Sequence, residues 1–487
     1  MLAWYQIWSF KNTNVYTIYF MSMILKKLES KSVFIKEFLF LSSFIFLLAA
    51  MSCKITPTYS DYIVDTIVPS GTESYITKNS DFIFNQNTLH TFELKIPESN
   101  LEEIDADPVA ERYVAGSLVF NGEKLSPVGI RYKGSKGAFV GTVSGKDWTN
   151  PSGHKTATKL SMKIKIDWKD SSRTFYGLKK LQFHAQNLDP SQMHERLGYW
   201  LFREMGVVAP RSVHARLVIN GDYYGVYALT EQIDKQFIDY NYEDAKGNLY
   251  KEIWPINYLG QATDEADFLK KLKTNRGADV NAEIIKSFAD GIVVANDDEL
   301  MELIKDRMNL HQIMAYAVVD RMIRNDDGAF HWYCSYEGCG NHNYYWYEEP
   351  STRKVHLIPW DLDNAFDNIG YGKSPVTTIH DDWGDISNGC EPFPYGSLGM
   401  YQKSAACDRL TQGWTYFIQE YDSIKAVFIN GPFSEEVVYA KIDEWSEQIR
   451  EATLEARKEH RDALKEKKWN DALYNLKGEL RHSRLTY

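Results

Sequence analysis

Residues 343–366 read NYYWYEEPSTRKVHLIPWDLDNAF, and this stretch decides the fold because it joins two strand patterns to an acidic pair. Residues 343–347 and 355–360 are apolar and aromatic runs typical of strands. The second strand leads directly into Asp361 and Asp363. A single Asp at a strand end usually serves a turn, whereas two of them after an apolar strand favour a functional site.

An acidic loop precedes this stretch. Residues 310–324 predict a helix that ends at Asn325-Asp326-Asp327-Gly328. Asp327 is favoured over the adjacent Asp326 as the working carboxylate because of its spacing from Asn325. Residues 329–342 then separate Asp327 from Asn343, a gap long enough to displace Asn343 from a shared site.

Two lysines and a glutamate lie further upstream on predicted regular elements. Residues 160–166, LSMKIKI, alternate as a strand that presents Lys163 and Lys165 on one face, so the pattern does not choose between them. Asp189-Pro190-Ser191 is typical of a helix start. This helix is apolar on both sides and is expected to be sandwiched, which would shield Glu195 from bulk water, although an exposed helical Glu is the common alternative.

A β-hairpin connects this helix to the second half of the chain. Residues 213–219 and 223–229 alternate on either side of Asn220-Gly221, which is the strongest short signal for a hairpin. The order is therefore a Lys strand, a Glu helix, a hairpin, a helix, an acidic loop and an Asp pair. Phosphoryl transfer needs a Lys for the phosphates, a Glu to hold that Lys, an Asp to orient a hydroxyl and carboxylates for a metal.

Three strings make this order recognisable as a family pattern. They are residues 175–206, FYGLKKLQFHAQNLDPSQMHERLGYWLFREMG, residues 218–234, VINGDYYGVYALTEQID, and residues 343–366. Together they resemble the CotH family of spore-coat-protein-H-like kinases, over about residues 91–487. The resemblance implies an α+β, two-lobed, atypical protein-kinase-like fold. Its small β-rich N-lobe with one helix would span about residues 90–232, and its larger, mainly helical C-lobe about residues 233–487.

The resemblance also implies an activity and a set of site residues. The activity is Mg²⁺-dependent transfer of the γ-phosphate of ATP to Ser or Thr of a protein substrate, with Mn²⁺ as an alternative ion. The implied residues are catalytic Asp327 or Asp326, metal-binding Asp361, Asp363 and Asn343, and cofactor-binding Lys163 or Lys165, Glu195, Arg131 and Glu231.

Some of these roles have equal alternatives. Arg131 belongs to the string GIRYKGS at residues 129–135, where a solvent-facing strand residue is as well supported as a nucleotide contact. Glu231 sits at a hinge position, where helix capping or closure of the hairpin is as well supported as contact with adenine. Lys251 matches a further family string without an assignable role.

The first 53 residues have the features of an export signal. Lysines precede an apolar run at residues 38–50, which is too short to span a bilayer and is followed by Met51-Ser52-Cys53. Cys53 stands at a lipobox-like position, although Ala50 replaces the usual Leu. We therefore expect an exported protein, lipid-anchored at the bacterial cell envelope or surface, with residues 54–89 as a tether. A buried apolar helix is the alternative.

The remaining cysteines and the net charge argue against a zinc site and a nucleic-acid partner. Cys334 with Cys339, and Cys390 with Cys407, are spaced for local disulfides and poorly for zinc. A net charge of −11 with dispersed basic residues argues against a nucleic-acid partner. The oligomeric state is left open.

Two other functions compete with the kinase hypothesis. ATP is scarce outside the inner membrane, so a surface lipoprotein with a kinase-like fold could be a catalytically inactive binding or matrix protein. A glycosidase using Asp327 and Asp361 as paired carboxylates is a weaker alternative, because it leaves the Lys strand and the Glu helix unexplained.

Overall fold

A closed β-barrel forms the first half of the described chain. Its strands are β1 His90–Lys95, β2 Val114–Phe120, β3 Glu123–Tyr132, β4 Met162–Lys165, β5 Lys180–His184, β6 Ser212–Ile219 and β7 Asp222–Thr230. They follow the order β1-β2-β3-β4-β5-β7-β6, and β1 closes the barrel by running parallel to β6. Alternate side chains such as Phe92, Ile130, Ile164 and Phe183 fill the interior, so the outer face carries the polar positions.

The structure is a computed structural model that describes residues 79–147, 149–277, 279–336, 338–366, 387–395 and 400–486. The predicted signal region, Cys53 and residues 54–78 of the predicted tether lie outside the described residues. Within that described part, no helix combines the length and apolar character needed to span a bilayer.

Residues 79–89 are packed, which differs from the tether predicted there. Ile83 and Phe84 are buried in the barrel cluster. Asp81 pairs with Arg211 at 2.6 Å, and His90 Nε2 donates to the carbonyl of Phe82 at 2.8 Å. Two apolar side chains within a polar segment are enough to fold it onto the barrel. The folded part therefore begins before His90.

The described residues contain twelve α-helices, the first three of which lie between barrel strands. They are α1 Glu98–Ala106, α2 Lys136–Phe139, α3 His194–Glu204, α4 Lys235–Asn241, α5 Glu265–Lys270, α6 Glu283–Val294, α7 Asp297–Arg307, α8 Leu310–Met322, α9 Arg409–Thr415, α10 Ile418–Asn430, α11 Glu435–Glu459 and α12 Glu466–Thr486. The expectation of one helix within residues 90–232 is wrong, because α1 and α2 also occur there. Helix α1 buries Ile104 against the barrel, which explains why it forms.

Two smaller sheets accompany the helices. The first contains β8 Leu249–Lys251, β11 Tyr344–Glu349 and β12 Lys354–Pro359, in the order β12-β11-β8. The second contains β9 Trp332–Ser335, β10 Gly338–Gly340, β13 Phe393–Tyr395 and β14 Met400–Lys403, in the order β10-β9-β14-β13. The predicted hairpins before Asp361 and around Asn220-Gly221 are thereby confirmed.

Helix α3 is sandwiched between the barrel and the helices. Glu195, Tyr199 and Phe202 are buried on one side, and Leu197 and Leu201 on the other, which confirms the prediction of a helix covered all round. The helix begins at His194, later than the Asp189 signal indicated. Asp189 nevertheless accepts a hydrogen bond from the His194 amide at 2.9 Å and so satisfies a first-turn donor.

Candidate functional site

The cationic side of the site lies on the outer face of the barrel. Tyr132 and Phe183 point into the barrel core, so their neighbours Lys133 and His184 point outward. The Lys133 amide still donates to the carbonyl of Ser161 at 2.8 Å, which extends the β3–β4 pairing by one residue. The register of two paired strands therefore sets the position of both side chains.

A hydrogen-bonded chain runs from Lys133 through His184 to Glu195. Lys133 Nζ lies 2.5 Å from His184 Nε2, and His184 Nδ1 lies 2.7 Å from each Glu195 carboxylate oxygen. An ammonium group can only donate, so Nε2 is the acceptor and Nδ1 carries the ring proton toward Glu195. Burial, followed by the charge of Lys133, holds the pKa of His184 well below its usual value. The imidazole is therefore neutral and couples the Lys to the Glu.

Burial also sets the charge state of the two ends of this chain. It lowers the pKa of Lys133, and the nearby Asp361 and Glu195 carboxylates oppose that effect. Burial raises the pKa of Glu195 well above its usual value, and the charge of Asp361 adds to the rise. The charged forms of Lys133 and Glu195 are therefore stabilised mainly by neighbours of opposite charge, as expected for ionisable groups removed from water.

The acidic side of the site follows strand β12. Asp361 adopts a left-handed backbone with φ of 57°, and its amide donates to the Tyr199 hydroxyl at 2.9 Å. Leu362 is buried over Gly198, where an added Cβ would lie 2.8 Å from Leu362 Cδ1. His194 Nδ1 lies 2.9 Å from the carbonyl oxygen of Asp363. Helix α3 therefore holds the Asp361–Asp363 turn as well as Glu195.

Carboxylates crowd this turn. Burial raises the pKa of Asp363 well above its usual value, and the charges of Asp361, Glu195 and Asp327 raise it further. Like charges repel strongly when they are partly shielded from water. A divalent cation relieves such repulsion, and Mg²⁺ prefers carboxylate oxygens. The residues present therefore fit a metal held by Asp361 and Asp363.

A second possible cation group involves His184. Ligand atoms of His184, Glu195 and Asp361 lie within 4.8 Å of one another. Both ring nitrogens of His184 already bind Lys133 and Glu195, however, and imidazole is a poor ligand for Mg²⁺. We therefore interpret His184 and Glu195 as part of the hydrogen-bonded chain.

The loop after helix α8 carries Asp327 to the acidic side. Asn343 Nδ2 donates to Asp327 Oδ2 at 2.8 Å, while Asp326 is buried next to it. Burial raises the pKa of Asp327 to about 6, opposed mainly by His342 and by hydrogen bonds from Tyr333 and Asn343. Of the two adjacent aspartates, Asp327 is therefore the one that hydrogen-bonds Asn343 and interacts electrostatically with the carboxylates of the Asp361–Asp363 turn.

Side-chain packing fixes the shape of this loop. Arg324 is left-handed with φ of 52°, and Asn325 Nδ2 donates to Asp320 Oδ2 at 2.8 Å. A Cβ at Gly328 would lie 2.2 Å from Asn325 Nδ2, so the loop closes only over a glycine. The string Asn325-Asp326-Asp327-Gly328 is therefore a compact turn anchored to helix α8.

The long segment between Asp327 and Asn343 does not separate them. Its central residues form the β9–β10 hairpin, in which Cys334 and Cys339 are disulfide-bonded. Cys390 and Cys407 form the second disulfide, a pairing that the spacing allowed. The gap is taken up by a hairpin whose two ends lie close together, so Asn343 stays next to Asp327. Its predicted contact with a metal stays a prediction.

The other predicted cofactor residues lie around this cluster in different environments. Lys163 donates to Gln232 Oε1, and burial followed by the charge of Lys133 lowers the pKa of Lys163 to about 7. Lys165 lies two residues along the strand, opposite Lys180. Arg131 forms an ion pair with Glu111.

Glu231 is engaged away from the cluster. It accepts a hydrogen bond from Arg211 Nε at 3.0 Å, and both side chains are buried. Arg211 lies just before β6 and Glu231 just after β7, so this ion pair closes the hairpin. Among the roles considered for Glu231, the structure shows the contact that closes the β6–β7 hairpin.

Sequence reasoning missed Lys133 and His184. Lys133 stands two residues after Arg131 in GIRYKGS, on the same outward face, so strand alternation was the available signal. His184 lies in FHAQN with no periodic signal that separates a core histidine from a linking one. Lys251, without an assigned role before, lies on β8 opposite Tyr345 and contributes a repulsive charge to Lys133.

Comparisons with known proteins identify a family. The family described as CotH kinase protein matches residues 130–486. Inner spore coat protein H of Bacillus subtilis (strain 168) is 23% identical over 296 residues, covering 59% of this chain and 72% of that protein.

A solved structure also matches, more distantly. It is the Shewanella oneidensis MR-1 toxin–antitoxin complex of HipA, HipB and operator DNA, with a TM-score of 0.26 and 13% identity over 68% of this chain. The match spans 65% of that chain, less than two thirds of its length, and a similarity this low carries no argument about the fold. The family match, by contrast, covers well over half of the chain and includes every element of the cluster, and the chain therefore belongs to the CotH kinase protein family.

Proposed function

We propose that the chain is a Mg²⁺-dependent kinase that transfers the γ-phosphate of ATP to Ser or Thr of a protein. One observation carries the proposal: a buried Lys–His–Glu chain on the barrel stands next to Asp327, Asp361 and Asp363. Phosphoryl transfer depends on positioning and charge stabilisation, for which this set of cations and carboxylates is suited.

Lys133 is the residue we assign to the nucleotide phosphates. It has the direct link through His184 to Glu195, whereas Lys163 is bonded to Gln232. Phosphates would replace part of the hydration that Lys133 has lost on burial and so favour its charged form. Glu195 acts through His184 to hold the ammonium group in position.

Asp327 is the residue we assign to the accepting hydroxyl. Asn343 orients its carboxylate, and the pKa of Asp327 near 6 leaves it largely ionised at neutral pH yet basic enough to take a proton. The hydroxyl proton would pass to the Asp327 carboxylate as the oxygen attacks phosphorus and the bond to ADP breaks.

Asp361 and Asp363 would hold the metal. When bound, Mg²⁺ neutralises negative charge on the phosphates. The turn contributes the carboxylates of Asp361 and Asp363, which are two residues apart. Tyr199, Gly198 and His194 of helix α3 contact this turn and hold it in place. Asn343 remains a predicted third ligand, with its amide nitrogen already bonded to Asp327.

The two-lobed arrangement and the export route are part of the same proposal. The barrel would be the N-lobe, and the helices with the two small sheets the C-lobe, with the site between them. Export with a lipid anchor at Cys53 rests on residues 26–53. The two disulfides support an oxidising compartment, because such bonds are rare in reducing cytosol.

The test measures transfer of labelled phosphate from ATP with Mg²⁺ to the protein itself or to a Ser-rich acceptor. Asp327→Asn and Asp361→Asn are each expected to lower the rate roughly 10³-fold, equivalent to about 4 kcal/mol. Asp422→Asn is a matched control on the exposed face of α10 and should keep the wild-type rate. Wild-type rates in both site variants would refute the assignment.

Nucleotide binding separates the kinase from the inactive binding protein. At a hundredfold excess over its dissociation constant, ATP with Mg²⁺ should stabilise the protein by about 2.7 kcal/mol. A protein that neither shifts in thermal unfolding with any nucleotide nor transfers phosphate would favour the binding or matrix role.

A further inference from the structure

The inserted segment between Asp327 and Asn343 brings the side chain of Tyr333 back to the loop that carries Asp327. Strand β9 places Tyr333 and Trp332 on opposite faces. Trp332 packs in the large helical core against Trp254, with ring centroids 5.7 Å apart. Tyr333 points the other way, toward Asp326 and Asp327. The hairpin is therefore fixed to the core on one face and faces the site on the other.

The Tyr333 hydroxyl bridges the two aspartates. Its oxygen lies 3.0 Å from the carbonyl oxygen of Asp326, and the Asp327 carboxylate competes for the same single hydroxyl proton. Its ring stands between His331 and His342, with centroid distances of 4.6 and 5.3 Å. One hydroxyl thus lies against both the Asp326 backbone and the Asp327 side chain, which the proposed mechanism needs in a fixed orientation.

The hairpin that carries Tyr333 is itself clamped on both sides. Cys334, the next residue, is bonded to Cys339 on β10 and is paired in register with Tyr401 on β14. The second disulfide, Cys390–Cys407, encloses β13 and β14. Both disulfides of the described chain therefore stabilise the sheet that contains Tyr333.

We infer that Tyr333 is a positioning residue for Asp327, and that the disulfide-closed hairpin keeps Tyr333 in place. The inference rests on the proposed function, because it assigns Tyr333 a role in phosphate transfer. Asn343 donates to the Asp327 carboxylate, and the Tyr333 hydroxyl, which shares its proton between that carboxylate and the Asp326 carbonyl, supplies a second contact, so together they define its orientation. A carboxylate held by one donor rotates more freely, and small misplacements of a catalytic group are costly.

Tyr333→Phe tests this role by removing only the hydroxyl. We expect kcat to fall roughly ten- to hundredfold, with KM for ATP unchanged because Lys133 and the Asp361 turn are untouched. Tyr336→Phe is the matched control: it lies on the same hairpin, and Tyr336 is 97% exposed. Equal kcat for Tyr333→Phe and Tyr336→Phe would overturn the inference.

The disulfide is tested by a double-mutant cycle. Cys334→Ser combined with Cys339→Ser should lower kcat in the wild-type background, because the hairpin can then move away from Asp327. In the Tyr333→Phe background the same change should cost little more, since groups that act as one unit are non-additive. Fully additive losses would show that the disulfide does not act through Tyr333.

A crystal structure of Tyr333→Phe keeps this test distinct from that of the proposed function. If the wild type transfers no phosphate, the proposed function fails. The crystal structure then still decides the positioning claim. An Asp327 carboxylate that turns away from Asn343 in Tyr333→Phe supports it, and an unmoved carboxylate refutes it.

Discussion

The two sides of the site are built on different kinds of backbone. Lys133 and His184 stand on paired barrel strands, where register sets the direction of every side chain. Asp327 and Asp361 stand in turns, and left-handed backbone occurs at Arg324, with φ of 52°, and at Asp361, with φ of 57°. Backbone pairing therefore orients the lysine and the histidine, whereas side-chain contacts orient the carboxylates.

Helix α3 is the element that contacts both sides. Glu195 meets the barrel through His184, and Tyr199 and His194 bind the Asp361–Asp363 turn. Its burial on both sides leaves it little freedom to move alone. We therefore expect a substitution on the barrel to affect mainly the lysine it replaces, whereas a substitution in α3 should also displace the carboxylates of the Asp361–Asp363 turn.

On the barrel side of the site, the largest expected effect comes from removing the linked lysine. Lys133→Met should lower kcat/KM for ATP roughly 100-fold, or about 2.7 kcal/mol, because it removes the phosphate charge and its link to Glu195. Lys163→Met and Lys165→Met are matched controls on the adjacent strand and should each lower it less than about fivefold. A larger loss in Lys163→Met than in Lys133→Met would reverse the assignment.

A smaller effect is expected from crowding α3 against the acidic turn. Gly198→Ala places a methyl 2.8 Å from Leu362 Cδ1, which should destabilise the protein by about 1–2 kcal/mol and slow transfer roughly tenfold by shifting Asp361.

Gly478→Ala is the control for Gly198→Ala. Its helical Cβ would meet nothing within 4 Å, so it should stabilise the protein by about 0.5–1 kcal/mol without changing the transfer rate. Denaturant unfolding and phosphate transfer measure the two quantities. Identical behaviour of the two variants would mean that the turn is not held by α3.

The smallest expected effect is a shift in pH dependence. The pKa of Asp327 is raised to about 6, so kcat should fall as pH drops through about 6 and the carboxylate takes up a proton. Asn343→Ala removes a hydrogen bond to the charged form, which should raise the pKa of Asp327 and move the acidic limb to higher pH. Asn430→Ala, at an exposed helix end, should leave the limb in place. An unchanged limb in Asn343→Ala would show that another group sets it.

Much of the fold was predictable because it follows local patterns. Alternation predicted β4, apolar and aromatic runs predicted β11 and β12, Asn220-Gly221 predicted the β6–β7 hairpin, and the two-sided apolar pattern predicted a sandwiched α3. The two disulfides are pairings that the cysteine spacing allowed but left open. The packing of residues 79–89 escaped prediction, because its apolar residues, Phe82, Ile83, Phe84 and Leu89, have no periodic spacing.

The site was predictable only in part. Asp327, Asp361, Asp363 and Glu195 were all named from the sequence, and the structure brings them together. The choice of lysine was not predictable, since Lys133 lies just outside a strand whose outward positions also include Arg131. Glu231 was grouped with the nucleotide residues, whereas it forms a buried ion pair with Arg211 that no local pattern reveals.

By itself, the sequence determined which elements form and which acidic residues end them, because strand alternation, helix periodicity and turn residues act over a few neighbours. Only the tertiary structure decided that Lys133 reaches Glu195 through His184, and that an inserted hairpin returns Tyr333 to Asp327. These contacts depend on barrel register and on packing between segments far apart in the chain. Such distances are set by the fold as a whole and leave no periodic trace along the sequence.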